Sequence, residues 1–182
     1  MRWSLCFAIL VGMSQSVTIV GAGLAGSEAA LQLADRGVRV RLVEMRPKTP
    51  TPVHVTGCCA ELVCSNSLKS EKPDSAAGML KRELAELGSQ LYAQAKLHAV
   101  PAGGALAVDR TAFAEAVTAL VEAHPLIDLV HDEIVDLVQA AEGADALVVA
   151  AGPLASDALA ASLSRLAGEE HLAFYDAAAP IV

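Results

Sequence analysis

The chain has 182 residues, 54% of them hydrophobic and only 3% aromatic. That length suffices for one ordinary domain with a sizeable core, and the composition excludes a disordered chain. With 13 Lys and Arg against 21 Asp and Glu, and few rings to stack on bases, these residues lack the cationic surface of a nucleic-acid binder.

Residues 1–15 read as an extension outside the fold. Arg2 and the short apolar run ending at Val11 resemble an export signal, but the run is too short to span a bilayer. A strand follows almost at once, so Met13 is the expected start of a cytoplasmic protein. Ser16 to Val20 is a β-branched run ending at Gly21, a buried strand. Leu24 to Arg36 is helical and closed by Gly37. Val38, Val40 and Leu42 alternate with Arg39 and Arg41 in a second strand ending at Glu44. The expected product is a parallel βαβ unit.

Residues 46–73 hold four prolines and three cysteines without sustained periodicity. A connection of that length is usually functional. A short helical stretch is expected within it, at Ala60 to Val63. An amphipathic helix follows, with Ser75 as N-cap and Leu80, Leu84, Leu87 and Leu91 on one face. Pro101 to Gly104 is a turn. Asp109 caps another helix, in which Phe113, Val117 and Leu120 share a face. Leu126 to Val138 reads as one or two strands and Ala146 to Ala150 as another. Ser156 opens a last helix to about Ala167, and an apolar segment, Phe174 to Val182, closes the chain.

The glycine motif Gly21-Ala22-Gly23-Leu24-Ala25-Gly26 gives the clearest chemistry. Gly21 permits a tight strand-to-helix turn, Gly23 lets backbone approach a pyrophosphate, and Gly26 lets the helix pack on the strand. The helix start offers free N–H groups and partial positive charge to phosphates. Glu44, 18 residues after Gly26, is placed to accept hydrogen bonds from both ribose hydroxyls. A carboxylate there disfavours the extra phosphate of NADP. The early motif and the late strand Leu147 to Gly152 favour FAD over NAD.

Cys6, Cys58, Cys59 and Cys64 do not form a secreted disulfide framework, because three of them cluster within seven positions. The chain reads as intracellular and reduced. Cys64, before the polar turn Ser65-Asn66-Ser67, is a candidate nucleophile if a helix end or cation favours its thiolate; the alternative is a small buried thiol. Cys58, Cys59, Cys64 and His54 lack the paired spacing of zinc ligands, so no metal is expected. His98, His124, His131 and His171 read as surface or helix-end residues.

The segments Glu44-Met45-Arg46-Pro47, Ala60 to Leu68, Val100 to Arg110 and Phe174 to Val182 are specific. With the glycine motif and Ser27-Glu28-Ala29-Ala30, they closely resemble the folate- and FAD-dependent tRNA (uracil-5-)-methyltransferases, the TrmFO family. The resemblance implies a Rossmann-like α/β FAD-binding domain that is incomplete. Residues 16–182 would be its N-terminal portion within a larger two-domain flavoprotein, and the loop at 46–73 would belong to the active site. It implies transfer of a one-carbon unit from 5,10-methylenetetrahydrofolate to C5 of a T-loop uridine in tRNA. FAD would be the cofactor and NADH or NADPH the reductant. Cys64 is then catalytic. The cofactor-binding set is the glycine motif with Glu44, Met45, Arg46, Gly103, Gly104, Asp109, Arg110 and Gly152. Most of the tRNA surface would lie elsewhere. Residues 53–59 depart from the family, whose members have an aromatic residue in this polar stretch. Two readings compete: another FAD- or NAD(P)-dependent oxidoreductase sharing only the nucleotide fold, and a non-catalytic truncated module with exposed apolar surface.

Overall fold

The computed structural model describes residues 15–168. The expected extension up to residue 14, His171 and the closing segment Phe174 to Val182 lie outside the described residues.

The opening βαβ unit forms as its pattern predicts. Strand β1 (Ser16–Val20) leads through the glycine turn into helix α1 (Leu24–Asp35) and then strand β2 (Arg39–Glu44). Helix α1 buries Leu31 together with Gly26, Ser27, Ala30 and Ala34, whose small size allows close approach to the sheet. Gly37, at φ +84°, makes the left-handed step that ends the helix. β1 and β2 pair in parallel from Ser16↔Arg39 to Val20↔Val43.

The middle of the chain departs from expectation in several places. Residues 60–63 form a turn and irregular chain, not a helix; Ala60 itself has a positive φ of 53°. Residues 67–70 are a strand, β3 (Ser67–Ser70). The single expected leucine-faced helix is two helices, α2 (Ala76–Glu86) and α3 (Gln90–Leu97). Gly88 breaks it at φ +72°, and Ser89 restarts it by accepting from the Tyr92 N–H at 3.1 Å. The apolar face is therefore divided: Leu91 is buried while Leu87 is 72% exposed. Strands β4 (Ala99–Val100) and β5 (Ala105–Val108) flank the expected turn, and β5 pairs antiparallel with both β3 and β4.

Asp109 caps helix α4 (Arg110–Ala123) as expected, accepting from Thr111 and Ala112 N–H at 3.1 Å each. Phe113 and Val117 are buried on it, and Leu120 is partly buried. The stretch expected as one or two strands gives one, β6 (Ile127–His131), followed by the short helix α5 (Leu137–Ala140). Asp136 diverts the chain into that helix by accepting from Val138 and Gln139 N–H. Strand β7 (Ala146–Val149), a 3-10 turn at Gly152–Leu154 and helix α6 (Asp157–Ala167) complete the described chain.

The main sheet is parallel in the order β6-β2-β1-β7; the small sheet is ordered β3-β5-β4. Ile19 and Leu42 join Ala30, Phe113 and Val117 in the larger core. Val20, which points to the opposite face from Ile19, packs with Leu137 and Leu159. β1 has β2 on one side and the much later β7 on the other, and the chain leaves the C-terminal ends of β1 and β7 toward opposite faces of the sheet: α1 packs on the Ile19 face and α6, through Leu159, on the Val20 face. Such a switch point is where open α/β sheets form ligand crevices. Among the described residues no helix is long and apolar enough to cross a membrane.

Candidate functional site

The glycine loop occupies that switch point. At Gly21, φ is +98° and an added Cβ would lie 2.7 Å from Ala151 Cα and 2.8 Å from the Ala150 carbonyl oxygen. The late strand β7, with the turn beginning at Gly152, thus closes directly on the loop. At Gly26 a Cβ would fall 1.8 Å from the Gly21 carbonyl oxygen, so the helix start and strand end touch backbone to backbone. Gly23 is different: a Cβ there would meet nothing within 4 Å. Its space is open.

Helix α1 begins at that opening with no side-chain cap. Every other α-helix among the described residues is capped by Ser or Asp. Leu24 and Ala25 in the uncapped turn are exposed. The first-turn N–H groups therefore face solvent unpaired with side chains, the arrangement that accepts an anion.

Glu44 lies at the end of β2, 5% exposed. One carboxylate oxygen, Oε2, accepts from Ala22 N–H at 2.8 Å. The other, Oε1, accepts from Arg46 N–H at 3.1 Å and Arg46 Nε at 2.7 Å. With about four lone-pair sites on a carboxylate, this arrangement leaves room for one ribose hydroxyl on Oε2, not the two expected. Burial pushes the Glu44 carboxyl upward, but Arg46 and the Ala22 N–H together outweigh it and hold the group below its ordinary value.

Arg46 turns inward. It is 3% exposed, and besides Glu44 its guanidinium donates to Glu61 Oε2 at 2.9 Å and to the Thr56 and Cys58 carbonyls. Glu61 also accepts from Val55 N–H at 2.8 Å and the Thr56 hydroxyl at 2.7 Å. Burial raises the Glu61 carboxyl; these bonds and the Arg46 charge reverse that and lower it. The His131 ring bonds to the Arg46 carbonyl. His131 is thus neither a surface nor a helix-end residue, unlike His98 and His124, which follow α3 and α4 as C-caps.

Cys59 and Ala60 pass beneath the glycine loop. Ala60 N–H donates to the Ala22 carbonyl at 2.8 Å, and Cys59 N–H to Thr118 Oγ1 at 2.8 Å. Burial pushes the Cys59 thiol up to about 11, which leaves it inert at neutral pH. Cys64 is exposed. It opens on a cleft of about 480 Å³ shared with Asn66, Val100, Asp109 and Arg110. His54 pairs with Thr51, and no cluster among the described residues has the makings of a metal site.

The structure accordingly brings most of the expected residues together in two places. Gly21 to Gly26, Glu44, Ala150 and Ala151 meet at the switch point, with Met45 lining the same cleft and Gly152 following directly on Ala151. Cys64, Asp109 and Arg110 meet at the small sheet. Gly103 and Gly104 lie in the β4–β5 turn, where Gly104 accepts from Glu71 N–H and packs against the Lys72 side chain. Sequence reasoning missed Glu61 and Ala60 as the links between loop and cradle. Their only signal was membership of the Ala60 to Leu68 segment.

The profile of the family described as glucose inhibited division protein A matches residues 16–182. The methylenetetrahydrofolate--tRNA-(uracil-5-)-methyltransferase TrmFO of Desulforudis audaxviator is 55% identical over 170 residues, 93% of this chain and 38% of that protein. The TrmFO of Brevibacillus brevis is 54% identical over 171 residues, again 93% and 38%. The chain thus spans a little over a third of the length of these curated relatives. The GidA-related protein from Thermus thermophilus overlays it only loosely, at a TM-score of 0.37 and 22% identity, over 69% of this chain and 41% of that one. On the match across 16–182, the chain belongs to the glucose inhibited division protein A family.

Proposed function

We propose that this chain supplies the FAD-holding part of a cytoplasmic enzyme that methylates tRNA. In this reading a one-carbon unit passes from 5,10-methylenetetrahydrofolate to C5 of a T-loop uridine, and NADH or NADPH is the reductant. The observation that carries it is the 55% identity to a methylenetetrahydrofolate-dependent tRNA (uracil-5-)-methyltransferase over 93% of the chain. The cradle fits the cofactor's phosphates: an uncapped helix start beside a glycine whose side-chain space is empty.

The residues then take these roles. Gly21 to Gly26 receive the pyrophosphate on the first-turn N–H groups of α1. Glu44 Oε2 takes one ribose hydroxyl, and Met45 and Gly152 border the same crevice. Bound and reduced, FAD would carry and reduce the one-carbon unit. Cys64 is the nucleophile: its thiolate adds to uracil C6, and the C5=C6 electron pair moves onto C5 and O4, making C5 nucleophilic. After C5 takes the one-carbon unit and loses its proton, the S–C6 bond breaks and the thiolate returns. Arg110 in the same cleft offers a cation to the charge developing on the base.

The test uses the protein in its full-length form. It is expected to purify with FAD and to form 5-methyluridine in T-loop RNA from methylenetetrahydrofolate and NADH or NADPH. Flavin reduction without methyl transfer would refute the methyltransferase reading. Cys64→Ala is expected to keep FAD and lose methylation by at least about a hundredfold; unchanged turnover would remove Cys64 from the mechanism.

A further inference from the structure

We propose that Arg46 is a positioning residue that makes the dinucleotide cradle and the loop carrying Cys64 open and close as one unit. The coupling to a ligand rests on the dinucleotide reading above; the mechanical link does not.

Four guanidinium hydrogen bonds join four points of the chain: Glu44 at the end of β2, then Thr56, Cys58 and Glu61 in the loop. Glu44 passes the link on to the cradle through Ala22 N–H. A second link returns from the loop, Ala60 N–H to the Ala22 carbonyl. Ala22 is thus held on both sides by groups outside its own turn. Ala60 makes its bond from a left-handed φ of 53°, a conformation an alanine keeps only when its surroundings hold it there. Three residues after Glu61 comes Cys64.

Arginine suits this place because its planar fork serves several acceptors in fixed directions, whereas a lysine presents a point charge. Without the Arg46 side chain, two carboxylates that are 6% and 9% exposed in their side chains would keep their N–H and hydroxyl donors but lose the cation they share. A ligand that bonds Glu44 Oε2 or presses on the loop at Ala22 acts on the same network. Whatever the loop gains in order from that ligand, the ligand gains in affinity from an ordered loop.

Cys59 reports on the link, because its thiol is fully buried in the core beneath the loop and reacts only when the loop lifts. The experiment labels the full chain with iodoacetamide and maps Cys59 and Cys64 separately, with and without added FAD. Without FAD, Arg46→Gln is expected to raise the Cys59 rate at least about tenfold, and Arg46→Lys to fall between it and wild type. Added FAD is expected to slow Cys59 labelling in wild type and to have no effect in Arg46→Gln. Glu61→Gln, in the loop, is expected to weaken FAD binding at least about fivefold. A purely structural role would leave that affinity unmoved, so unchanged FAD affinity in Glu61→Gln overturns the coupling. Unchanged Cys59 labelling in both Arg46 variants overturns the link itself; if Arg46→Gln does not fold, Arg46→Lys decides it. A wild-type chain that binds no FAD would defeat the dinucleotide reading instead, and the cofactor-free labelling would still decide the link.

Discussion

Three glycines spaced along six residues do three different jobs, and substitutions should separate them. Gly23 has an extended backbone, at φ −69° and ψ −169°, and open space where a side chain would go. Gly23→Val is therefore expected to leave the melting temperature within about 3 °C of wild type. FAD affinity should nevertheless fall at least about a hundredfold, because the valine fills the space a pyrophosphate needs. Gly26→Ala is the opposite case. Its Cβ would overlap the Gly21 carbonyl oxygen, so the helix must shift off the strand, at a cost of about 2 kcal/mol or more. Thermal melts of both variants with flavin titrations make the comparison. A Gly23→Val protein that still binds FAD would take the phosphate away from this loop. These roles were legible in the sequence because each depends on spacing within one turn. The Glu44–Arg46–Glu61 frame was not, since Glu61 returns to Arg46 only once the loop has folded back.

Among the elements, the βαβ unit was readable because β-branched alternation and an alanine-rich helix are local patterns bounded by Gly21 and Gly37. The small sheet was not. Its strands have four, two and four residues, too short to establish a period, and β3 carries a shift in register between Ser67 and Ser70. The leucine spacing from Leu80 to Leu91 misled for a related reason: it continues across Gly88, where the backbone cannot remain helical. What fixes α3 instead is Glu28, on α1. Its carboxylate accepts from Ser89 Oγ at 2.9 Å and from Gln90 and Leu91 N–H at 3.1 and 2.9 Å, satisfying donors at the start of α3. Glu28→Ala is expected to destabilise the chain by about 1–2 kcal/mol through that lost cap. Faster amide exchange should appear first at Gln90 and Leu91. A uniform increase across all helices would mean that Glu28 acts on the whole fold.

For the whole molecule, the separation between a cradle at the parallel sheet and a cysteine cleft at the small sheet arises from strand order, which no single segment encodes. In chain order β6 and β7 follow all three strands of the small sheet, and they take opposite flanks of the β2–β1 pair. The stability of that assembly should depend on acid in two stages. Burial lowers the pKa of His54 from its ordinary 6.5, so below pH 6.5 the unfolded chain takes up a proton that the folded chain resists. Glu44, Glu61 and Glu71 are lowered from 4.5; burial opposes the shift at the first two, and a Lys96 hydrogen bond leads it at Glu71. A carboxyl with a depressed folded value stabilises above 4.5 and loses that contribution as pH falls through its folded value. All four groups therefore act in the same direction. Denaturation midpoints measured from pH 7 to pH 3 are expected to decline gently below 6.5 and steeply below 4.5. His54→Gln should remove the gentle limb and keep the steep one. Glu61→Gln should be less stable at pH 7 but show a shallower acid limb, because one of the carboxylates that must be protonated is gone. An acid limb as steep as wild type in Glu61→Gln would show that acid unfolds the chain through exposed charges rather than through the buried frame around Arg46.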